Sequence, residues 1–487
     1  MTTSLIALAI LLAMVFVRVP IAFAMAIVGG IGFCLLRGWE PAGAMVGNAV
    51  FETGLNYSLS VAPLFIFMGN ILAGSGIAQG LFAAADRIFG RMRGGLAMAT
   101  VLSCGGFSAV CGSSLATAAT MTKVAMPSMR RFGYADSLST GAIAAGGTLG
   151  ILIPPSVVMI VYGLLVEGEI GKLFLAGIIS GIVGILGYLL AVMVAVRMNP
   201  SLAPAVGEPL PLSRSDLVSV AAVLALFAFI MIGIYGGLLT PIEAAGMGAA
   251  TAMVIALVTG GLTRRALWTA LVDSATASAM IFAIIIGAEI FGNFVTFAGL
   301  PDALSDLVDH LGLSPWMVMV VIVLIYMVLG CFLESLSMIL LTVPVFFPLV
   351  SGMDFGLEIL SSPEAVMIWF GIIVVVVTEI SLITPPIGMN VFVLRSVMPD
   401  VPLRTIFRGV YWFWASDIVR LALIVAVPCR GCRWRCIREP RAAGVDAPAA
   451  AISQDALRTP RSIWSCRCFR RARGNCPRQS RHRPCAG

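Results

Sequence analysis

Charge is what this chain lacks. Only 11% of its 487 residues are Asp, Glu, Lys or Arg, and 59% are hydrophobic. A soluble domain carries roughly 25% charged residues, so a water-soluble globule is excluded. Histidine is nearly absent: His310 and His482 are the two in the chain. Imidazole catalysis and histidine metal sites therefore have little to work with. No CxxC array or Cys/His cluster occurs before residue 428, and no GxxxxGK[ST] loop occurs at all. A zinc array and an ATP-driven pump lack their signatures. The apolar runs do not alternate with polar residues, which excludes a transmembrane barrel.

Those apolar runs are what the chain has. About 20 apolar residues cross a bilayer. Runs of that kind cover 3–17, 20–36, 57–74, 173–197, 216–236, 240–259, 275–298 and 404–428. The class is an all-α polytopic membrane protein. The opening "MTTSLIALAILLAMVFVRVP" has no basic region, and "AFA" at Ala22–Ala24 is followed at once by another apolar run. The first span is expected to be retained rather than cleaved. "IAQGLFAAADRIFGRMRGG" (Ile77–Gly95) is amphipathic and ends basic, as a helix lying on the cytoplasmic interface would.

The formal charge of +7 belongs to one end. Residues 429–487 hold fourteen Arg and three acids, which makes that stretch +11 and leaves 1–428 at −4. No nucleic-acid partner is expected of the body. After Pro428 the apolar period stops within one residue, and "CRGCRWRCIREPRAAG" follows without Lys. The expectation is a frame change in a GC-rich gene, with a disordered basic tail as the alternative. Cys34, Cys104, Cys111 and Cys331 read as small packing residues.

The chain also resembles itself. "GILIPPSVVMIVYG" (Gly150–Gly163) matches "SLITPPIGMNVFVL" (Ser381–Leu394), and upstream "GSSLATAATMTKVAMP" (Gly112–Pro127) matches "LESLSMILLTVPVFFP" (Leu333–Pro348). The Pro-rich stretch 199–215 divides the chain into halves 1–198 and 216–428. Between Gly94 and Met129 the one charge is Lys123, with Arg87, Arg91 and Arg93 before and Arg130 and Arg131 after. Basic flanks at both ends face the cytoplasm, so residues 94–129 should enter and return as a re-entrant hairpin with its tip near Gly112–Ser114. Residues 314–350 have Glu334 inside and no flanking cation. They read as a second hairpin, entering from the outer face. A broken helix follows each hairpin, at about 140–165 and 370–396. Two inverted repeats, each with a re-entrant hairpin and a broken helix, are the plan of a secondary transporter.

Broken backbone inside a membrane is tolerable where it is buried in protein or lines a polar cavity. Carbonyls and hydroxyls suit Na⁺, and half-helix N-termini suit a carboxylate. Proline lacks an N–H and frees the carbonyl one turn back. One candidate ion and substrate pocket is therefore Gly112, Ser113, Ser114 and Thr117 with Pro154, Pro155 and Ser156. The other is Glu334, Ser335 and Ser337 with Thr384, Pro385, Pro386, Gly388 and Asn390. Each residue also has a packing reading, since Gly and Ser let membrane helices approach. Glu334, taken as buried and acidic, marks a functional position by default. Glu289 with Asn293, Lys123 and Arg395 are weaker candidates; the last two read as interface anchors. Ser113 or Ser114 with Lys123 as base would make an intramembrane hydrolase, but the residue pattern favours a non-enzyme.

At these residues the chain resembles a family. "PLFIFMGNILAGSGIA", "GGFSAVCGSSLATAATM", "GTLGILIPPSVVMIVYG" and "LITPPIGMNVFVL" are similar to the large membrane subunit (DctM-like) of tripartite ATP-independent periplasmic (TRAP) transporters. The similarity runs from about Thr3 to Pro428. It implies a multi-pass protein of the bacterial inner membrane that imports a dicarboxylate-like organic acid. It implies Na⁺ as coupling ion, no other cofactor, and an elevator motion of a transport domain against a scaffold. The implied partners are a periplasmic substrate-binding protein and a small four-helix membrane subunit. In the family the hairpin tips and broken helices bind Na⁺ and substrate, which transfers to the residues named above. The rival is a stand-alone Na⁺- or H⁺-coupled anion transporter of the same inverted-hairpin plan.

Overall fold

The computed structural model describes residues 2–204, 213–360 and 362–426. The expected frameshifted or disordered tail, 429–487, lies outside the described residues, as do residues 205–212 of the stretch between the halves.

Every element among the described residues is helical. The first half runs α1 (Thr2–Phe16), α2 (Ile21–Arg37), α3 (Trp39–Leu55), α4 (Val61–Gly74) and α5 (Ile77–Phe89). It continues through α6 (Gly95–Cys111), α7 (Ser114–Arg131), α8 (Asp136–Thr148), α9 (Val157–Leu165) and α10 (Ile170–Met198). The second half runs α11 (Arg214–Tyr235), α12 (Pro241–Val258), α13 (Arg264–Phe297), α14 (Leu300–Leu311) and α15 (Pro315–Gly330). It ends with α16 (Ser335–Ser351), α17 (Pro363–Ser381), α18 (Met389–Val397) and α19 (Leu403–Ala426). The order from α4 to α10 recurs from α13 to α19. A long helix leads to an amphipathic one (α5, α14), then to a broken pair, a second broken pair and a long closing helix.

Seven helices among the described residues are long and apolar enough to cross a membrane: the one ending at Gly74, α10 to α13, α17 and α19. Burial separates their roles. The α17 span is 94% buried inside the protein, whereas the α11 span is 28% buried. A helix apolar all round belongs in the interior, and one with this much exposed apolar surface faces lipid. At 15 and 17 residues, α1 and α2 fall short of the usual crossing length.

Local chemistry sets several boundaries. Ser213 with Asp216 and Thr240 with Glu243 form capping boxes that start α11 and α12, and Pro241 stands where its missing N–H costs nothing. Small residues set the helix spacing. A Cβ on Gly29 of α2 would lie 2.7 Å from the Phe291 Cα of α13, and one on Gly141 of α8 would lie 2.5 Å from the Gly409 carbonyl of α19. Backbones that close bring their helices into direct dispersion contact, which replaces the missing hydrophobic drive between helices in lipid.

Candidate functional site: two helix breaks and their Pro-Pro loops

The first break is made by two residues. α6 stops at Cys111, and Gly112 takes φ +63, a left-handed conformation that glycine adopts without steric cost. Ser113 is extended and caps α7, its hydroxyl accepting the Ala116 N–H at 3.5 Å. The Thr117 hydroxyl donates back to the Ser113 carbonyl at 2.8 Å. A short 3₁₀ turn, Leu149–Ile151, unwinds the end of α8 toward the cis Pro154–Pro155 bond. Ser156 then caps α9, accepting from Met159 N–H at 3.4 Å and donating to the Ile151 carbonyl.

Tip and loop touch backbone to backbone. A Cβ on Gly112 would lie 2.6 Å from the Pro155 carbonyl oxygen, and one on Gly150 would lie 2.7 Å from the Ser113 carbonyl oxygen. The structure thus brings Gly112 together with Pro155, and Ser113 together with Gly150. Ser114, Thr117, Pro154, Pro155 and Ser156 are buried, and Ser113 is half-buried.

The second break is wider, Cys331 to Glu334. Glu334 occupies the cap position of α16, but its carboxylate makes no cap hydrogen bond. It is half-buried, not buried as its apolar surroundings in sequence suggested. It stands at the end of a four-residue gap between α15 and α16, beside Phe332, which is 41% exposed. Ser335 and Ser337 are buried on the first turn of α16. The Cys331 thiol donates to the Pro385 carbonyl at 3.5 Å, and a Cβ on Gly330 would lie 2.6 Å from Ser381 Cβ. So this tip also rests on its own Pro-Pro loop, through Pro385. The Pro385–Pro386 bond is cis, and Gly388, at φ +61, opens α18.

The two loops differ in setting. Pro385 and Pro386 are exposed where Pro154 and Pro155 are buried. The Thr384 hydroxyl donates to Ile380 carbonyl at 2.6 Å and accepts from Trp414 Nε1 at 3.1 Å. Asn390 does not join the second tip. It is fully buried, and its amide donates to the Ala144 carbonyl of α8 at 3.1 Å, while its Oδ1 has no partner. The packing is reciprocal: α18 of the second half lies on α7, and α9 of the first half lies on α16.

Three weaker candidates stand apart. Lys123 is exposed. Arg395 spends its guanidinium on the Pro399 and Val401 carbonyls. Glu289 is exposed and bonds Asn293 one turn on. A cavity of about 470 Å³ between the α9–α10 and α11–α12 turns, walled by Glu167 and Glu169, touches none of the break residues.

What the breaks can do follows from their ends. Helix C-termini at Cys111 and Gly330 present carbonyls, and the N-termini of α7, α9, α16 and α18 present amides. Thr117 and Thr384 turn their hydroxyl hydrogens onto backbone carbonyls, which leaves lone pairs for a cation on Thr117 and one on Thr384, whose other accepts from Trp414 Nε1.

A second polar feature escaped the sequence reading. Arg420 Nη2 lies 2.6 Å from Glu379 Oε2 and 2.9 Å from Asp417 Oδ1. Glu379 Oε1 lies 2.9 Å from Thr148 Oγ1, which is 3.2 Å from Tyr188 Oη. Tyr188 Oη lies 2.6 Å from Asp417 Oδ2, closing a ring. All five side chains are buried. The signal was present: Glu379 interrupts "IIVVVVTEISLI", and Asp417 with Arg420 interrupts "WFWASDIVRLALI". Charges inside apolar runs mark function by default.

Comparison with known proteins agrees with this architecture. Residues 8–429 match the family described as "Tripartite ATP-independent periplasmic transporter, DctM component". The chain is similar to the C4-dicarboxylate TRAP transporter large permease protein DctM of Pseudomonas aeruginosa, 36% identical over 78% of this chain and 86% of that one. It is 30% identical to the sialic acid TRAP transporter large permease protein SiaM of Vibrio cholerae, over 77% of this chain and 85% of that one. The solved Alcanivorax borkumensis YdaH transporter shares the fold, with a TM-score of 0.55 at 14% identity over 80% of this chain and 88% of that one. A polytopic helical chain with this match is a multi-pass protein of the inner membrane, and it belongs to the DctM family, the large permease subunits of TRAP transporters.

Proposed function

We propose that this permease subunit is a Na⁺-coupled importer of an organic acid, and that the two helix breaks with their Pro-Pro loops hold the ion and the substrate. The observation that carries the reading is the pairing of each break with a Pro-Pro loop, through Gly112 against the Pro155 carbonyl and Cys331 against the Pro385 carbonyl. Each pairing gathers helix-end carbonyls, amides and hydroxyls within apolar surroundings, where a small cation and a carboxylate find their ligands. Gly112, Ser113, Ser114, Thr117, Pro154, Pro155 and Ser156 form the first pocket. Glu334, Ser335, Thr384, Pro385, Pro386 and Gly388 form the second. Asn390, with its unpartnered Oδ1, links the second loop to the first half.

The recurring element order and the reciprocal packing of α9 and α18 support two repeats. In this reading the repeats are inverted, the breaks are re-entrant hairpins, and the broken helices move as a block against a scaffold. A periplasmic binding protein delivers the substrate, and a small membrane subunit flanks the scaffold. Relatives named for C4-dicarboxylate and for sialic acid share an acidic substrate class.

Uptake into proteoliposomes containing the co-encoded partner proteins tests the proposal. Uptake should require Na⁺. Equal uptake in K⁺ buffer without Na⁺ would refute the ion assignment.

A further inference from the structure

The buried ring has more contacts than hydrogens. Glu379, Thr148, Tyr188 and Asp417 meet at three oxygen–oxygen contacts of 2.9, 3.2 and 2.6 Å. Two hydroxyl hydrogens are available for three contacts, and the Ala145 carbonyl, 2.7 Å from Thr148 Oγ1, competes for one of them. With both carboxylates ionised, at least one contact sets lone pair against lone pair. Two carboxylates and one guanidinium would also leave a net negative charge among fully buried side chains. Leaving a buried charge unpaired is strongly destabilising.

We propose that the ring binds one additional proton, shared between Glu379 and Asp417 along the Thr148 and Tyr188 hydroxyls. With that proton every contact has a hydrogen and the net charge is zero. Two arrangements are equivalent in bonding. In one, Glu379 donates to Thr148, Thr148 to Tyr188, and Tyr188 to Asp417. In the other, every donor is reversed. Passage between them breaks three O–H bonds and forms three. Arg420 Nη2 keeps its hydrogen bond to Glu379 Oε2 throughout and stays in ion-pair range of Asp417 Oδ1, an oxygen with no hydrogen-bond partner.

The surroundings are built for this. Gly184 leaves the space that Arg420 Nη1 fills, and the guanidinium lies 5.8 Å from the centre of the Tyr188 ring. The other charged residues of the four contributing helices are Asp136, Lys172, Arg197, Glu364, Arg404 and Arg408, at or near the helix ends. Thr148 and Glu379 each stand six residues before the first proline of their Pro-Pro pair. They are equivalent positions in the two repeats, and they touch. The shared proton therefore sits where the repeats meet. That placement rests on the repeat reading above, whereas the hydrogen count does not.

Single amide substitutions test it, because an amide reproduces a protonated carboxyl without the charge. In the purified full-length chain, Glu379→Gln and Asp417→Asn should each melt within about 2 °C of the parent. The double variant, carrying an unpaired guanidinium, should melt about 5 °C or more lower. Infrared difference spectra should contain the carbonyl stretch of a buried carboxylic acid in the parent, shifted in D₂O and lost in each single variant. Absence of that band in the parent would overturn the proposal. So would a single variant that melts as low as the double. Neither measurement involves Na⁺ or substrate, so failure here is distinct from failure of the transport reading.

Discussion

Replacing Gly112 by Ala attacks the first tip at its tightest point. The added Cβ would sit 2.6 Å from the Pro155 carbonyl oxygen, closer than real Cβ atoms approach, on a residue held at φ +63. The backbone conformation alone costs a non-glycine residue about 1–2 kcal/mol. The clash is with backbone rather than a flexible side-chain end, so the tip must move off the loop to relieve it. If ion binding needs tip and loop together, a penalty of about 2 kcal/mol falls on the bound state and weakens Na⁺ about thirtyfold. The control is Gly106→Ala in α6, the helix that Gly112 ends, where the nearest atom would be a Leu81 methyl at an ordinary 3.6 Å. The assay is initial uptake against Na⁺ concentration, with thermal melting alongside. G112A should raise half-saturating Na⁺ by at least tenfold, and G106A should leave it unchanged. Unchanged Na⁺ dependence in a folded G112A protein would refute the idea that the tip–loop contact shapes the ion site.

Gly150→Ala presses on the same contact from the loop side, 2.7 Å from the Ser113 carbonyl oxygen, and should match G112A in sign with a smaller effect, because Gly150 has no left-handed φ. Ser114→Ala and Thr384→Ala should weaken Na⁺ dependence more than expression; Thr384→Ala also strips the acceptor from Trp414 Nε1, costing about 1 kcal/mol in melting. At the surface, Arg130 pairs with Asp136 and Asp400 and holds the Asp400 carboxyl below the usual carboxylate range. A lowered carboxyl contributes stability at neutral pH and loses it as pH falls through its folded value. Arg130→Ala should thus melt slightly below the parent at pH 7, with the gap closing in acid, and a small gap because all three groups are exposed.

How much was legible follows from what a linear reading can see. The helical membrane class is written in the apolar runs, and Gly112, Ser113 and the two Pro-Pro pairs announce broken backbone because those residues disfavour a continuing helix. Contacts across the halves carry no such mark. Nothing in "GMNVFVL" says that Asn390 will bond Ala144, 246 residues away. Glu334 looked buried because its neighbours are apolar, yet the wider break leaves it half-exposed. The ring stayed hidden for a different reason. Glu379, Asp417 and Arg420 were visible singly, but their meaning arises when α17 meets α19 and α8, which sets Glu379 2.6 Å from Arg420, the ion-pair partner of Asp417, and 2.9 Å from Thr148.

We propose that a Na⁺ gradient drives this subunit. Proteoliposomes carrying the complete transporter can be loaded so that the Na⁺ gradient points inward, is absent, or points outward, at equal total salt. The organic acid should accumulate above its external concentration with the inward gradient, and should not accumulate in the other two cases. Accumulation of the same size without a Na⁺ gradient would contradict it.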